Sequence, residues 1–363
     1  ACGKLFSSLF GIDYVLAMII SAIVILGYTT MGGFLAASTT DFIQSIIMTI
    51  ALIVVLVFGI HSAGGMDAVI SNAQSLPGYL NLTETINSAA GGSSSYGIVT
   101  IISTLAWGLG YFGMPHILLR FMAIEDKDKL KLSRRIASGW VVVSLAVAVF
   151  IGVIGLAMSK AGVIPVLEGS NSETIIVKIA DALSHNGIFA ALVAGIILAG
   201  ILASTMSTAD SQLLAASSSV SQNIFRGVLK IDISEKTALI IARISVVIIS
   251  IIAIFIAIDP NSSVFNIVSF AWAGFGAAFG PVVLFALFWR RSNKWGAFAG
   301  MLSGGVMVFV WKYLVKPMGG VWGIYELLPA FILGCIAIVV VSLATVAPSE
   351  EILKEFDSVK EEK

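Results

Sequence analysis

Residues 195–212, GIILAGILASTMSTADSQ, pass from hydrocarbon to hydroxyl without a break. Ile196, Ile197, Leu198, Ile201 and Leu202 are side chains suited to a lipid core, and Ser204, Thr205, Ser207, Thr208 and Ser211 follow with Asp210 among them. On a helix turning about 100° per residue, Ser204, Ser207, Thr208 and Ser211 share one arc of about 100°. Oxygens on one face of an apolar helix suit two chemistries: a hard, weakly held monovalent cation, or hydrogen bonds to a neighbouring helix. A cation would take the hydroxyls of Ser207 and Thr208 and the carbonyl of Ser204, with further ligands from another helix. The helix would have to loosen for that carbonyl to turn inward. Asp41 raises a related choice. It opens an apolar run and either favours a helix start that Ser38, Thr39 or Thr40 caps, or lies as a carboxylate on the cation's route. Asp210 poses the same question.

A second constellation lies in STLAWGLGYFGMPH, residues 103–116. Three glycines and a proline weaken a helix in mid-membrane, and Pro115 removes a donor and crowds the carbonyl of Tyr111. Broken helices persist at that depth where protein or a water-filled cavity surrounds them, and they mark transporter binding sites. With helical spacing, Trp107, Tyr111 and Pro115 share a face. They line either a small amphipathic pocket or an aromatic stripe at a helix interface. Gly274, Gly276, Gly280 and Pro281 allow another helix to bend and to be approached closely.

The elements that must carry these groups are membrane helices. The 363 residues are 58% hydrophobic and 12% charged, with a mean hydropathy of +1.00. A soluble domain is roughly half apolar and a quarter charged. Nine windows of about 20 apolar residues predict nine transmembrane helices: 12–31, 41–60, 96–119, 136–158, 187–207, 238–258, 264–289, 295–313 and 324–346. Basic residues cluster at 122–135, 225–236 and 290–294, whereas 62–95 and 259–263 contain no Lys or Arg. The positive-inside rule puts the basic set in the cytoplasm, so the first span runs outside to inside and the C-terminus is cytoplasmic. Arg120 and Arg243 are expected to snorkel to that face. The outer loop 62–95 reads as a short helix followed by a flexible turn, GGSSS. Two domains follow: a transmembrane transporter domain over 1–347 and a charged cytoplasmic tail over 348–363. The opening ACGKLFSSLFG lacks a starting Met and a signal-peptide pattern, and it reads as a chain entered partway.

The net charge is zero, which points to no nucleic acid. Cys2 and Cys335 suggest neither a disulfide framework nor a metal site. There is no GxSxG, HExxH or phosphate loop, so enzymatic chemistry is not expected.

Four stretches then stand out together: YTTMGGFLAASTTDFIQ (28–44), AWGLGYFGMPHILLRFMA (106–123), ILASTMSTADSQLLAASS (201–218) and SFAWAGFGAAFGPVVLF (269–285). In this order, and with YELLPAFILG at 325–334, they resemble the sodium/solute symporter family, most nearly its sodium/proline branch. The resemblance implies an all-α polytopic membrane protein with a leucine-transporter-like inverted-repeat fold. The nine spans would be the last two helices of repeat one, the five of repeat two and two C-terminal helices. By motif position, it implies sodium ligands at Ser204 (carbonyl), Ser207 and Thr208, and proline contacts at Trp107, Tyr111 and Pro115. Asp41 matches a carboxylate linked to sodium movement and would form a second cation site or release path with Ser207 and Ser211. Ser204, where alanine is usual, and Met114, where glutamine is frequent, depart from the pattern. The implied function is sodium-coupled symport of L-proline across the plasma (inner) membrane by alternating access. Sodium is then the coupling ion, proline and the lipid bilayer are the partners, and no obligatory protein partner is implied. Symport of another amino acid, a sugar or a vitamin is the near alternative, and a membrane sensor module the distant one.

Overall fold

The computed structural model describes residues 2–87, 92–259 and 261–361, without the side chains of residues 28, 31–34, 36, 87, 360 and 361. In chain order the helices are α1 (Cys2–Phe10), α2 (Tyr14–Ser62), α3 (Met66–Ser75), α4 (Ile98–Ala106), α5 (Pro115–Met122), α6 (Leu130–Lys160), α7 (Ile175–Ser184), α8 (Ile188–Ser218), α9 (Glu235–Ile256), α10 (Val264–Phe288), α11 (Lys294–Val310), α12 (Leu327–Ala344) and α13 (Glu350–Glu361). Among the described residues, seven helical segments are long and apolar enough to cross a membrane. An eighth is formed if Ile98–Gly113 and Pro115–Met122, bent by 49°, count as one span. The expected count of nine is therefore not reached. The difference lies in the first window, 12–31, of which the described residues give only the shorter apolar helix Tyr14–Gly27; this helix and the counted span Ala37–Ser62 belong to the single helix α2 of 49 residues. Residues 32–40 hold no proline and no charge, and a glycine pair weakens a helix without ending it. The start is sharper than hydropathy implies, because the Asp13 carboxylate accepts the Leu16 N–H at 3.0 Å and caps α2.

The expected outer loop also differs. The short helix is present as α3, but Gly92–Ser95 form a strand, β2, paired antiparallel with β1 (Glu84–Asn87). Gly91 lies outside the described residues. A polar strand of serines has no apolar alternation to betray it, so only its partner reveals it.

The chain divides into two compact units, Ala1–Leu80 with Ile124–Val264, and Asn81–Ala123 with Phe265–Lys363. In the first, α2, α6, α7 and α8 share a core that includes Val55, Ile151, Ile154, Met158, Ile179 and Ile197. Missing side chains make the close contacts. A Cβ at Gly59 would lie 2.6 Å from Ile154 Cγ2, and one at Gly200 would lie 2.8 Å from the Ala51 methyl. Small residues let membrane helices approach, because lipid tails compete with any larger apolar contact. Arg243 is exposed, and its Nε donates to the Thr30 carbonyl of α2 at 3.1 Å.

In the second unit, Gly296, Gly300 and Gly304 recur every fourth residue of α11. A Cβ at Gly296 would overlap Ser342 Oγ, one at Gly300 would overlap Ile338 Cγ1, and one at Gly304 would overlap the Ala277 carbonyl. The turn before α11 caps the end of α12. Arg291 Nη2 donates to the Thr345 carbonyl at 2.7 Å, and Asn293 Nδ2 donates to Thr345 Oγ1 and the Val346 carbonyl, both at 2.8 Å. Arg290 donates to both carboxylate oxygens of Asp357 on α13, and these hydrogen bonds push the guanidinium still further above its usual range.

Candidate functional site

The hydroxyl face of α8 lies in the first unit. Ser204 and Thr208 are exposed and Ser207 is half-buried. The Ser207 hydroxyl donates to the Ser204 carbonyl at 3.2 Å, and the Thr208 hydroxyl donates to the same oxygen at 3.3 Å. The three groups expected to ligate a cation are thus gathered at one point. Their hydrogen bonds run back along their own helix, the pattern serine and threonine adopt in membrane helices. The helix is not loosened there: α8 runs unbroken from Ile188 to Ser218 and then widens into a π-helical stretch, Ser219–Val228.

The direction of this face follows from helix geometry. Gly200 lies about 40° from Ser204 around the axis and packs on Ile47, Met48 and Ala51 of α2. Ser207 and Ser211 lie on the same side. Helix α2 also carries Asp41, which is half-buried. Ser211 donates to Asp210 Oδ1 at 3.4 Å. Asp210 is fully buried, about 110° away from the centre of the hydroxyl arc, so it belongs to a different face.

The interrupted third segment lies in the second unit. It is α4, then a 3-10 stretch from Trp107 to Gly113, then α5. In a 3-10 helix residues i and i+3 eclipse, which replaces the expected face. Trp107, Gly110 and Gly113 line up, while Tyr111 lies a third of a turn away and is exposed. The reason is close contact with α10. A Cβ at Gly110 would overlap Trp272 Nε1. One at Gly113 would overlap the Phe275 carbonyl and lie 2.9 Å from both Gly276 Cα and Gly280 N. Gly276 and Gly280 are therefore contact glycines as expected, whereas a Cβ at Gly274 would meet nothing within 4 Å. Pro115 does not crowd Tyr111. Met114 is extended (φ −81°, ψ 110°), as the residue before a proline prefers, and Pro115 takes the first position of α5, where no donor is needed.

Trp107 and Tyr111 still meet at one ring. Trp107 stacks on Trp272 at 5.6 Å between centroids, and Tyr111 meets the same indole edge-on at 4.8 Å. Trp272 Nε1 donates to the Trp107 carbonyl at 2.9 Å, which ties α10 to the 3-10 stretch. Phe265 and Tyr325 also stack on Trp107, at 5.4 and 6.0 Å. Trp107 is thus both part of a stripe at a helix interface and the centre of an aromatic cluster, while Tyr111 is exposed. Spacing does not single out Phe265, Trp272 or Tyr325. Their signal is the aromatic content of SFAWAG and YELLPAF, which becomes specific once the partners are known.

The family profile described as Sodium:solute symporter family matches residues 1–304. The chain is 38% identical over 349 residues to the osmoregulated proline transporter OpuE of Bacillus subtilis, covering 96% of this chain and 67% of that protein. It is 40% identical over 366 residues to the sodium/proline symporter of Haemophilus influenzae, covering 99% and 70%. Among solved structures, a substrate-bound, outward-open Na+-coupled sialic acid symporter matches with a TM-score of 0.70 at 16% identity, over 96% of this chain and 71% of that one. That likeness supplies the fold, which is leucine-transporter-like as the resemblance implied. This multi-pass membrane chain is a transporter and belongs to the sodium:solute symporter family.

Proposed function

We propose that the chain works in sodium-coupled symport of L-proline by alternating access. The observation that carries the substrate is the identity of 38 to 40% with relatives named as proline transporters, over nearly the whole chain. The convergence of Ser207, Thr208 and the Ser204 carbonyl supports a sodium position on α8. In this scheme the two hydroxyls turn from the carbonyl to the ion, so three oxygens replace part of its water shell. Asp41 and Ser211, on the two helices that meet at Gly200, supply a second cation position or the release path. Trp107, Tyr111 and Pro115 contact the pyrrolidine and the apolar face of the amino acid.

Coupling follows from linkage: a solute that binds more tightly with sodium in place tightens sodium in return. Each charge entering down the membrane potential supplies about 2.3 kcal/mol per 100 mV. The basic ends of the spans define the cytoplasmic side. Residues 1–347 are then the transport domain in the plasma membrane, and α13 lies at its inner face. Lys312 and Lys316 fall on the opposite side, but Lys316 is paired with Glu326 and Lys312 sits over Phe270.

The test is uptake of labelled proline into liposomes holding the protein together with whatever further chain it naturally carries. Uptake is expected to need an inward sodium gradient, to persist when potassium replaces sodium inside, and to stop when sodium is absent outside. Competition by a panel of amino acids, sugars and vitamins distinguishes a second reading, another solute, which the sialic acid specificity of the structural relative favours. Tyr111→Ala is expected to raise the proline concentration for half-maximal uptake by roughly tenfold, the worth of one aromatic contact of about 1.4 kcal/mol. Its half-saturating sodium, measured at saturating proline, should stay within a factor of two. Equal losses in both would mark a folding defect.

A further inference from the structure

The ion pair between half-buried Lys316 and buried Glu326 is unused by the transport scheme, yet it adjoins the aromatic cluster. Glu326 is 2% exposed, and Lys316 Nζ donates to its Oε2 at 2.8 Å. A carboxylate is not held so far from water without a partner. The pair spans a connection that Trp311 also ties, its Nε1 donating to the Ile324 carbonyl at 3.1 Å and its ring lying 5.8 Å from that of Trp322. Lys316 lies just beyond α11, Glu326 lies at the start of α12, and between them Gly319 and Gly320 both adopt positive φ, 74° and 59°.

The residue before Glu326 is Tyr325, itself held in three ways. Its N–H donates to Ser103 Oγ at 2.9 Å, its hydroxyl donates to the Ser269 carbonyl, and its ring stacks on Trp107. Lys312 Nζ lies 3.7 Å from the centroid of Phe270, the neighbour of Ser269, so a second cation adjoins these contacts. The chain Lys316, Glu326, Tyr325, Trp107 thus links a charge pair to the side chain read as a solute contact.

We infer that Glu326 and Lys316 are positioning residues: their ion pair holds Tyr325 against Trp107 and thereby sets affinity for the organic solute without touching it. This rests on Trp107 contacting solute, as proposed above. The decisive variant is the neutral pair Glu326→Gln/Lys316→Gln, which keeps shape and leaves no lone buried charge. Kinetics are measured for the solute that the competition panel identifies, so failure of the proline assignment is seen in the parent protein and is separate from failure here.

The expected result is a KM for solute raised roughly fivefold or more, with maximal rate and half-saturating sodium at saturating solute within twofold. The charge exchange Glu326→Lys/Lys316→Glu should bring KM back toward the parent value. Adding the neutral pair to Tyr325→Ala should raise KM no further than Tyr325→Ala alone, because both act through one ring. An unchanged KM, a loss in maximal rate alone, or additive losses with Tyr325→Ala would overturn the inference. So would failure of both pair variants to reach the membrane, which would make the pair purely structural.

Discussion

Gly113→Ala is expected to abolish transport, and Gly108→Ala to leave it intact. A methyl at 113 would overlap the Phe275 carbonyl and crowd the backbones of Gly276 and Gly280 at 2.9 Å. Overpacking against a movable side chain costs about 1–3 kcal/mol, and here the obstacles are backbone atoms inside a continuous helix, so the cost lies at or beyond the upper end. The variant must push the 3-10 stretch away from α10. That movement separates Trp107 from Trp272, whose Nε1 bonds the Trp107 carbonyl. A methyl at Gly108 would meet nothing within 4 Å, and alanine is the better helix former. Both variants are checked by the amount of protein in the membrane, its thermal unfolding in detergent and solute uptake. Equal activity of the two would mean that the 3-10 segment does not pack on α10 in the working protein.

The second large effect concerns sodium. Thr208→Ala is expected to raise the sodium concentration for half-maximal uptake by about 10- to 100-fold, since a bond to a charged partner is worth about 1.5–3 kcal/mol. The hydroxyl is exposed and donates within its own helix, to the Ser204 carbonyl at 3.3 Å. Removing it costs the fold little, and alanine raises helix propensity. A shift in sodium dependence therefore reports a lost ligand and not a lost helix. Thr208→Ser should restore sodium dependence, because it returns the oxygen without the methyl. An unchanged half-saturating sodium in Thr208→Ala would remove Thr208 from the ligand set.

The two sites differ in how legible they are in the chain. The hydroxyl face of α8 can be written down from spacing, because an unbroken helix fixes azimuth by residue number alone. The aromatic face cannot. A spacing of four puts Trp107 and Tyr111 together only if the segment is α-helical, and glycine contacts with α10 wind it tighter. Trp107 and Tyr111 do come together, but through Trp272, 165 residues along the chain from Trp107.

Sequence by itself determined the membrane class, the family, the oxygen-bearing face of residues 204–211 and the interruption before Pro115. Each of these depends on local hydropathy, helix period or the missing donor of one residue. Tertiary structure decided the fusion of the first two apolar windows into α2, the strand pairing of Gly92–Ser95, the stack of Phe265, Trp272 and Tyr325 on Trp107, and the burial of Glu326 against Lys316. Those features need partners that chain order does not reveal. A ring or a carboxylate takes its role from what packs against it, and in a lipid solvent that choice is made by close helix approach at glycines instead of by hydrophobicity.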